Sequence, residues 1–126
     1  MPRFTMPISR CNTVGFRLTL GLALLVATLF MLTPQPVALP EGMLADKWAH
    51  LATYLLLAFL VDASWPERDF DLPKWGFLLG HGVVIELLQT QIPNRLFSLG
   101  DLVANAAGIG LYAFVIFRVL RARGIR

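Results

Sequence analysis

The stretch Trp75–Ile92, WGFLLGHGVVIELLQTQI, decides how this chain reads. It is apolar and close to the length of a helix that crosses hydrocarbon, for which about 20 residues cover roughly 30 Å. Inside it stands Glu86, whereas the other seven of the eight acids lie in loops or at segment ends. A carboxylate at membrane depth costs about 3 kcal/mol on insertion scales, so such a group is kept for a partner or a task. Working outward from Glu86 therefore means asking what else reaches the same depth.

The composition agrees with lipid as the solvent. The 126 residues are 56% hydrophobic and 15% charged, against about 45–50% and about 25% in ordinary soluble domains. The net charge of +3 could suggest nucleic acid. However, the basic residues sit toward the two ends beside apolar runs, not in a stripe with stacking aromatics. They read as topology charges, and no nucleic-acid partner is expected. The single cysteine, Cys11, excludes a disulfide within the chain and a zinc site of paired thiolates. Arg10 before it occupies a place where a lipoprotein signal needs a small residue, so Cys11 reads as a spectator thiol.

Four segments qualify as spans: Val14–Leu32, Leu44–Val61, Trp75–Ile92 and Leu99–Leu120. The first resembles a secretory signal, but Thr33-Pro34-Gln35-Pro36 makes a poor cleavage site and an uncleaved anchor is expected. Prolines 34, 36, 40, 66, 73 and 93 mark the connections. Nothing alternates with period two as barrel strands do, so the expected fold is all-α, a four-transmembrane-helix bundle. Its organisation is a basic cytoplasmic N-terminus (1–13), a first span (14–32), a core of three spans (44–120) and a basic cytoplasmic tail (121–126). With the N-terminus inside, nine of the eleven basic residues fall on the cytoplasmic side: Arg3, Arg10, Arg17, Arg68, Lys74, Arg118, Arg121, Arg123 and Arg126. Lys47 and Arg95 fall outside. This asymmetry predicts both termini in the cytoplasm.

That topology gathers the polar residues on the outer face. Asp46 and His50 are one helical turn apart, as are Asp101 and Asn105, and Glu86 and Gln89 share a face. Glu86 lies about 10 Å below the Pro93 turn and His50 about 6 Å below Asp46, so their depths match. Carboxylates with a histidine suit a divalent metal or general acid–base work. Arg95 and Lys47 at the rim suit a phosphate or carboxylate. The alternative is that the same groups bond one another and lock three helices together. Asp101 also suits the cap of the fourth helix.

Other features carry less. His81, between Gly80 and Gly82, is off the face of Glu86 and reads as packed within the bundle. Trp48, Trp65 and Trp75 sit at span ends, where indoles favour the interface. Gly80, Gly108 and Gly110 favour tight helix contact. The Asp62–Lys74 loop reads as a solvated connection.

Three pieces together resemble the VanZ-like family. They are Asp46-Lys47-Trp48-Ala49-His50 continued by Tyr54, then Ile85-Glu86-Leu87-Leu88-Gln89 with Pro93-Asn94-Arg95, and then Ser98-Leu99-Gly100-Asp101 through Asn105 and Gly108. The resemblance covers about Asp46 to Leu120 and leaves the first span generic. It implies a bacterial inner-membrane protein of the cell envelope, in a family named for a member associated with teicoplanin resistance and without a settled biochemical activity.

The expected function is thus an effect on the envelope through an outer-face pocket that binds or modifies a lipid-linked precursor or phospholipid head group. Glu86, His50 and Asp101 would carry the chemistry. Asp46, Lys47, Gln89, Arg95 and Asn105 would hold the ligand. Enzyme status, cofactor and metal stay open. The competing readings are an assembly protein whose polar layer is interhelical glue, and a proton or cation relay with His81 as the next step inward.

Overall fold

A computed structural model describes residues 13–33, 44–92 and 98–124, apart from the side chains of 44–46. Among these residues the chain is helical, and no strand occurs. Helix α1 is Thr13–Leu32, α2 is Leu44–Ser64, α3 is Leu72–Gln89 and α4 is Leu99–Ala122. Within α4 the residues Tyr112–Ile116 form one π turn, with the Phe117 N–H bonded to the Tyr112 carbonyl. The all-helical expectation stands. Two helices, α1 with 20 residues and α4 with 24, are long and apolar enough to cross a membrane. Helices α2 and α3 have 21 and 18 residues and carry most of the polar side chains.

The helix ends differ from those drawn on hydropathy. Helix α2 continues past Val61 through Ser64, while α3 begins at Leu72 and stops at Gln89. Apolar runs were cut where Asp62 and Lys74 appear, yet these two are buried, with side chains 0% and 4% exposed, and paired at 2.7 Å. The expectation of a solvated Asp62–Lys74 connection is therefore corrected at both of its ends. A charge whose partner arrives from the next helix need not leave the bundle.

Helix α2 is the central rod, packed on α4 most extensively and on α1 and α3. The α2–α4 seam is close because Gly108 lies directly against the Leu51 carbonyl, where a Cβ would overlap backbone. Gly82 makes a second close approach, to Asn105 and Tyr54, whereas Gly80 faces open space and Gly110 meets only its own helix through Phe114. Tight packing at Gly80 and Gly110 is thus corrected. The apolar core comprises Tyr54, Leu57, Ala58, Leu60, Val61, Leu78, Ile85, Ile109 and Tyr112, with Leu20 and Met31 added from α1.

The two ends of the bundle have different chemistry. At one end Arg17 donates from Nε to the Ser64 carbonyl at 2.9 Å, Arg121 meets Asp69 at 3.4 Å, and Lys74 enters from α3. At the other end lie Lys47, His50, Glu86, Ser98 and Asp101. Outward faces are apolar along the helices: Leu18, Leu22 and Phe30 on α1, Val84 and Leu87 on α3, Val103 and Phe114 on α4 are all more than half exposed. Inside instead lie His50, Asp62, Lys74, Glu86, Gln89, Asp101 and Asn105.

Candidate functional site

The start of α4 is built by a modified capping box. Ser98 is its N-cap and accepts the Asp101 N–H on Oγ at 3.2 Å. In the usual box, the acid three residues on reaches back to the N-cap N–H. Here that N–H goes to Oε2 of Glu86 on α3, at 3.1 Å. The carboxylate of Asp101 is thereby released to face α2. The cap expected at Asp101 is corrected to Ser98, because the helix begins at Leu99 and Asp101 is its third residue, whose N–H bonds to Ser98 Oγ.

From α2, Lys47 donates to the Asp101 carboxylate through Oδ1 and to Ser98 Oγ at 3.1 Å. One turn further in, Nδ1 of His50 lies 3.1 Å from Asn105 Oδ1, and Nε2 lies 3.5 Å from Asp101 Oδ2. An amide oxygen can only accept, so Nδ1 carries the proton in that bond. One ligating atom from each of His50, Glu86 and Asp101 lies within 4.8 Å of the other two, and all three residues are buried. Glu86 is 0% exposed, and its Oε1 is buried with no hydrogen-bond partner. This trio could hold a cation.

Five expected site residues thus meet: Lys47, His50, Glu86, Asp101 and Asn105. Gln89 is buried but turns its Nε2 to the Met31 carbonyl of α1 at 2.8 Å. The Asp46 side chain and Arg95 lie outside the described residues. Gln89→Leu is expected to lower thermal stability in detergent by about 1 kcal/mol, the usual worth of a polar interhelical contact in a membrane bundle, and to leave binding at the trio unchanged. A binding defect without a stability loss would return Gln89 to the site.

Below the trio the polar groups continue inward. His81 is packed, as expected, with Nδ1 2.9 Å from Tyr54 OH and Nε2 3.0 Å from Thr28 Oγ1. Tyr54 is 0% exposed, and its hydroxyl and the Asn105 amide both crowd Gly82. The far end holds a second cluster that sequence reading missed. Lys74 Nζ donates to Asp62 Oδ1 at 2.7 Å and to the carbonyls of Trp65 and Arg68 at 2.8 and 2.6 Å. Tyr112 donates to Asp62 Oδ2 at 2.5 Å. The signal available was Asp62 directly following an apolar run and Lys74 directly preceding one, a spacing that also fits two solvated charges.

No protein-family model, curated protein or solved structure matches this chain.

Proposed function

We propose that the chain is a four-span protein of the bacterial inner membrane, with both termini in the cytoplasm. It acts on the cell envelope, as a VanZ-like protein would, through a polar pocket on the outer face. The carrying observation is the inverted polarity of the bundle. Asp62, Lys74, Glu86 and Asp101 are buried within the bundle, with side chains at 0–10% exposure, while the large exposed side chains on the helix faces are apolar. Water would favour the reverse arrangement; lipid favours this one. The basic end, with Arg17, Lys74 and Arg121, is then cytoplasmic, and Lys47, His50, Glu86 and Asp101 lie beneath the outer surface.

Lys47 is the group that reaches the rim, with 28% of its side chain exposed. It can meet an anionic head group while Glu86, His50 and Asp101 work behind it. The interhelical-glue reading fits His81, Gln89 and Asn105, whose polar atoms bond across helices. It accounts for Glu86 only in part: Oε2 bonds the Ser98 N–H across helices, while Oε1 is buried without a hydrogen-bond partner.

The test is teicoplanin susceptibility of a Gram-positive host carrying either the wild-type chain or Glu86→Gln, with membrane abundance matched. The expected result is reduced susceptibility with the wild type and its loss with Glu86→Gln. Equal protection by both chains would remove Glu86 from the activity. No protection by either would remove the teicoplanin phenotype.

A further inference from the structure

The arrangement around Glu86 has the parts of a metal centre. His50, Asp101 and Glu86 each have one polar atom committed to a supporting group. Nδ1 of His50 donates to Asn105, Oδ1 of Asp101 accepts from Lys47, and Oε2 of Glu86 accepts from the Ser98 N–H. Metal-binding histidines and carboxylates are held in this manner by groups behind them, which set the tautomer and the ring orientation. With its proton on Nδ1, His50 presents Nε2 as the basic nitrogen, already 3.5 Å from Asp101 Oδ2. The remaining oxygen of Glu86, Oε1, is buried without a hydrogen-bond partner.

We propose that Nε2 of His50, Oδ2 of Asp101 and Oε1 of Glu86 bind one divalent first-row transition ion of the Zn²⁺ class. One nitrogen and two carboxylate oxygens make a mixed set that favours such an ion over Ca²⁺ or Mg²⁺, which prefer oxygen alone. Bonds to Zn²⁺ run about 2.0–2.2 Å, so neighbouring ligand atoms sit about 3–4 Å apart. With one ligating atom of each residue within 4.8 Å of the other two, binding requires closure by at most about 2 Å. Three protein ligands leave a coordination position open, as in catalytic rather than structural zinc sites. With both carboxylates ionised and Lys47 charged, the pocket carries one net negative charge; a divalent ion makes it positive by one. The occupied site therefore attracts a phosphate or carboxylate oxygen to its open position. This last step rests on the head-group reading given above, while ion binding itself does not.

The experiment uses the full chain, without a polyhistidine tag, purified in detergent and stripped with a chelator. Co²⁺ is titrated by visible absorption, and Zn²⁺ by elemental analysis and thermal unfolding. The wild type is expected to take up about one equivalent, with d–d bands in the range of a four- or five-coordinate site, and to melt higher with Zn²⁺. Glu86→Gln is expected to lose the bands. Asn105→Ala, which touches no metal and keeps all three ligands, is expected to bind about 10- to 100-fold more weakly. Should Glu86→Gln not fold, the wild-type titration and the Asn105 variant still decide. Absence of stoichiometric uptake by the wild type, or uptake unchanged in both variants, overturns the proposal. Metal uptake without affinity for inorganic phosphate sustains the metal centre and rejects only the head-group reading.

Discussion

Lys74→Ala is expected to unfold the bundle or bring it close to unfolding. The Lys74 side chain is 4% exposed, and its ammonium makes three short bonds: to Asp62 Oδ1, to the Trp65 carbonyl and to the Arg68 carbonyl. Removing it takes the cation from the fully buried Asp62 carboxylate, to which Tyr112 also donates. Breaking a buried ion pair by removing one partner costs about 3–5 kcal/mol. The two carbonyls also lose their donor at the turn that joins α2 to α3. Thermal unfolding in detergent measures the effect. The double variant Asp62→Leu, Lys74→Met removes both charges together and is expected to recover most of the loss, since an apolar pair of similar volume strands no charge. A Lys74→Ala protein that melts within about 1 kcal/mol of the wild type would refute this account.

Gly108→Ala is expected to open the α2–α4 seam. A methyl group at this position overlaps the Leu51 carbonyl oxygen and comes within 3.1 Å of the Leu55 nitrogen. Both are helical backbone, which cannot rotate aside as a side-chain tip can. The helices must separate, at a cost of about 1–3 kcal/mol or more for overpacking. That same seam brings Lys47 and His50 to Asp101 and Asn105, so affinity for Co²⁺ and for phosphate is expected to fall with stability. The comparison is Gly80→Ala. Nothing lies within 4 Å of its Cβ, and the better helix propensity of alanine is expected to add about 0.5–1 kcal/mol. Equal tolerance of alanine at both positions would mean that the seam does not depend on contact at Gly108.

The relay alternative meets an apolar layer in this arrangement. The polar series from Asn105 through Tyr54 and His81 reaches Thr28 on α1. Between it and the Asp62–Lys74 pair lie Leu57, Ala58 and Leu78, each 0–1% exposed. Among the described residues these three side chains offer a proton no hydrogen-bonding group. The two polar clusters therefore read as separate devices, one at each end of the bundle.

Much of the outer-face site was legible because helix spacing and depth are read directly along the chain. His50 lies one turn below Asp46, Asn105 one turn below Asp101, and Glu86 within an apolar run, so their types and levels were available without coordinates. Which atom faces which was not. Helix spacing put Glu86 and Gln89 on one face and in one site, yet Glu86 caps the backbone of Ser98 while Gln89 fastens α1. The cap is Ser98 and not Asp101 because the helix begins at Leu99, and the acid that reaches back to the cap comes from a different helix. Equally, glycine count could not separate Gly108 and Gly82 from Gly80 and Gly110, since close contact depends on the facing helix.

What followed from residue order alone was local or additive: helical class, apolar spans, asymmetric charge, and the residues able to reach one depth. Periodicity and composition are properties of single segments, and they survive without knowledge of the partner. The tertiary structure decided the pairings. Asp62 and Lys74 read as ordinary loop charges until α2, α3 and α4 pack so that Lys74 and Tyr112 both meet Asp62. Likewise the orphaned oxygen of Glu86 exists only because Ser98 takes its neighbour. Burial and hydrogen bonding depend on which surfaces meet, and that is settled by packing across residues far apart in the chain.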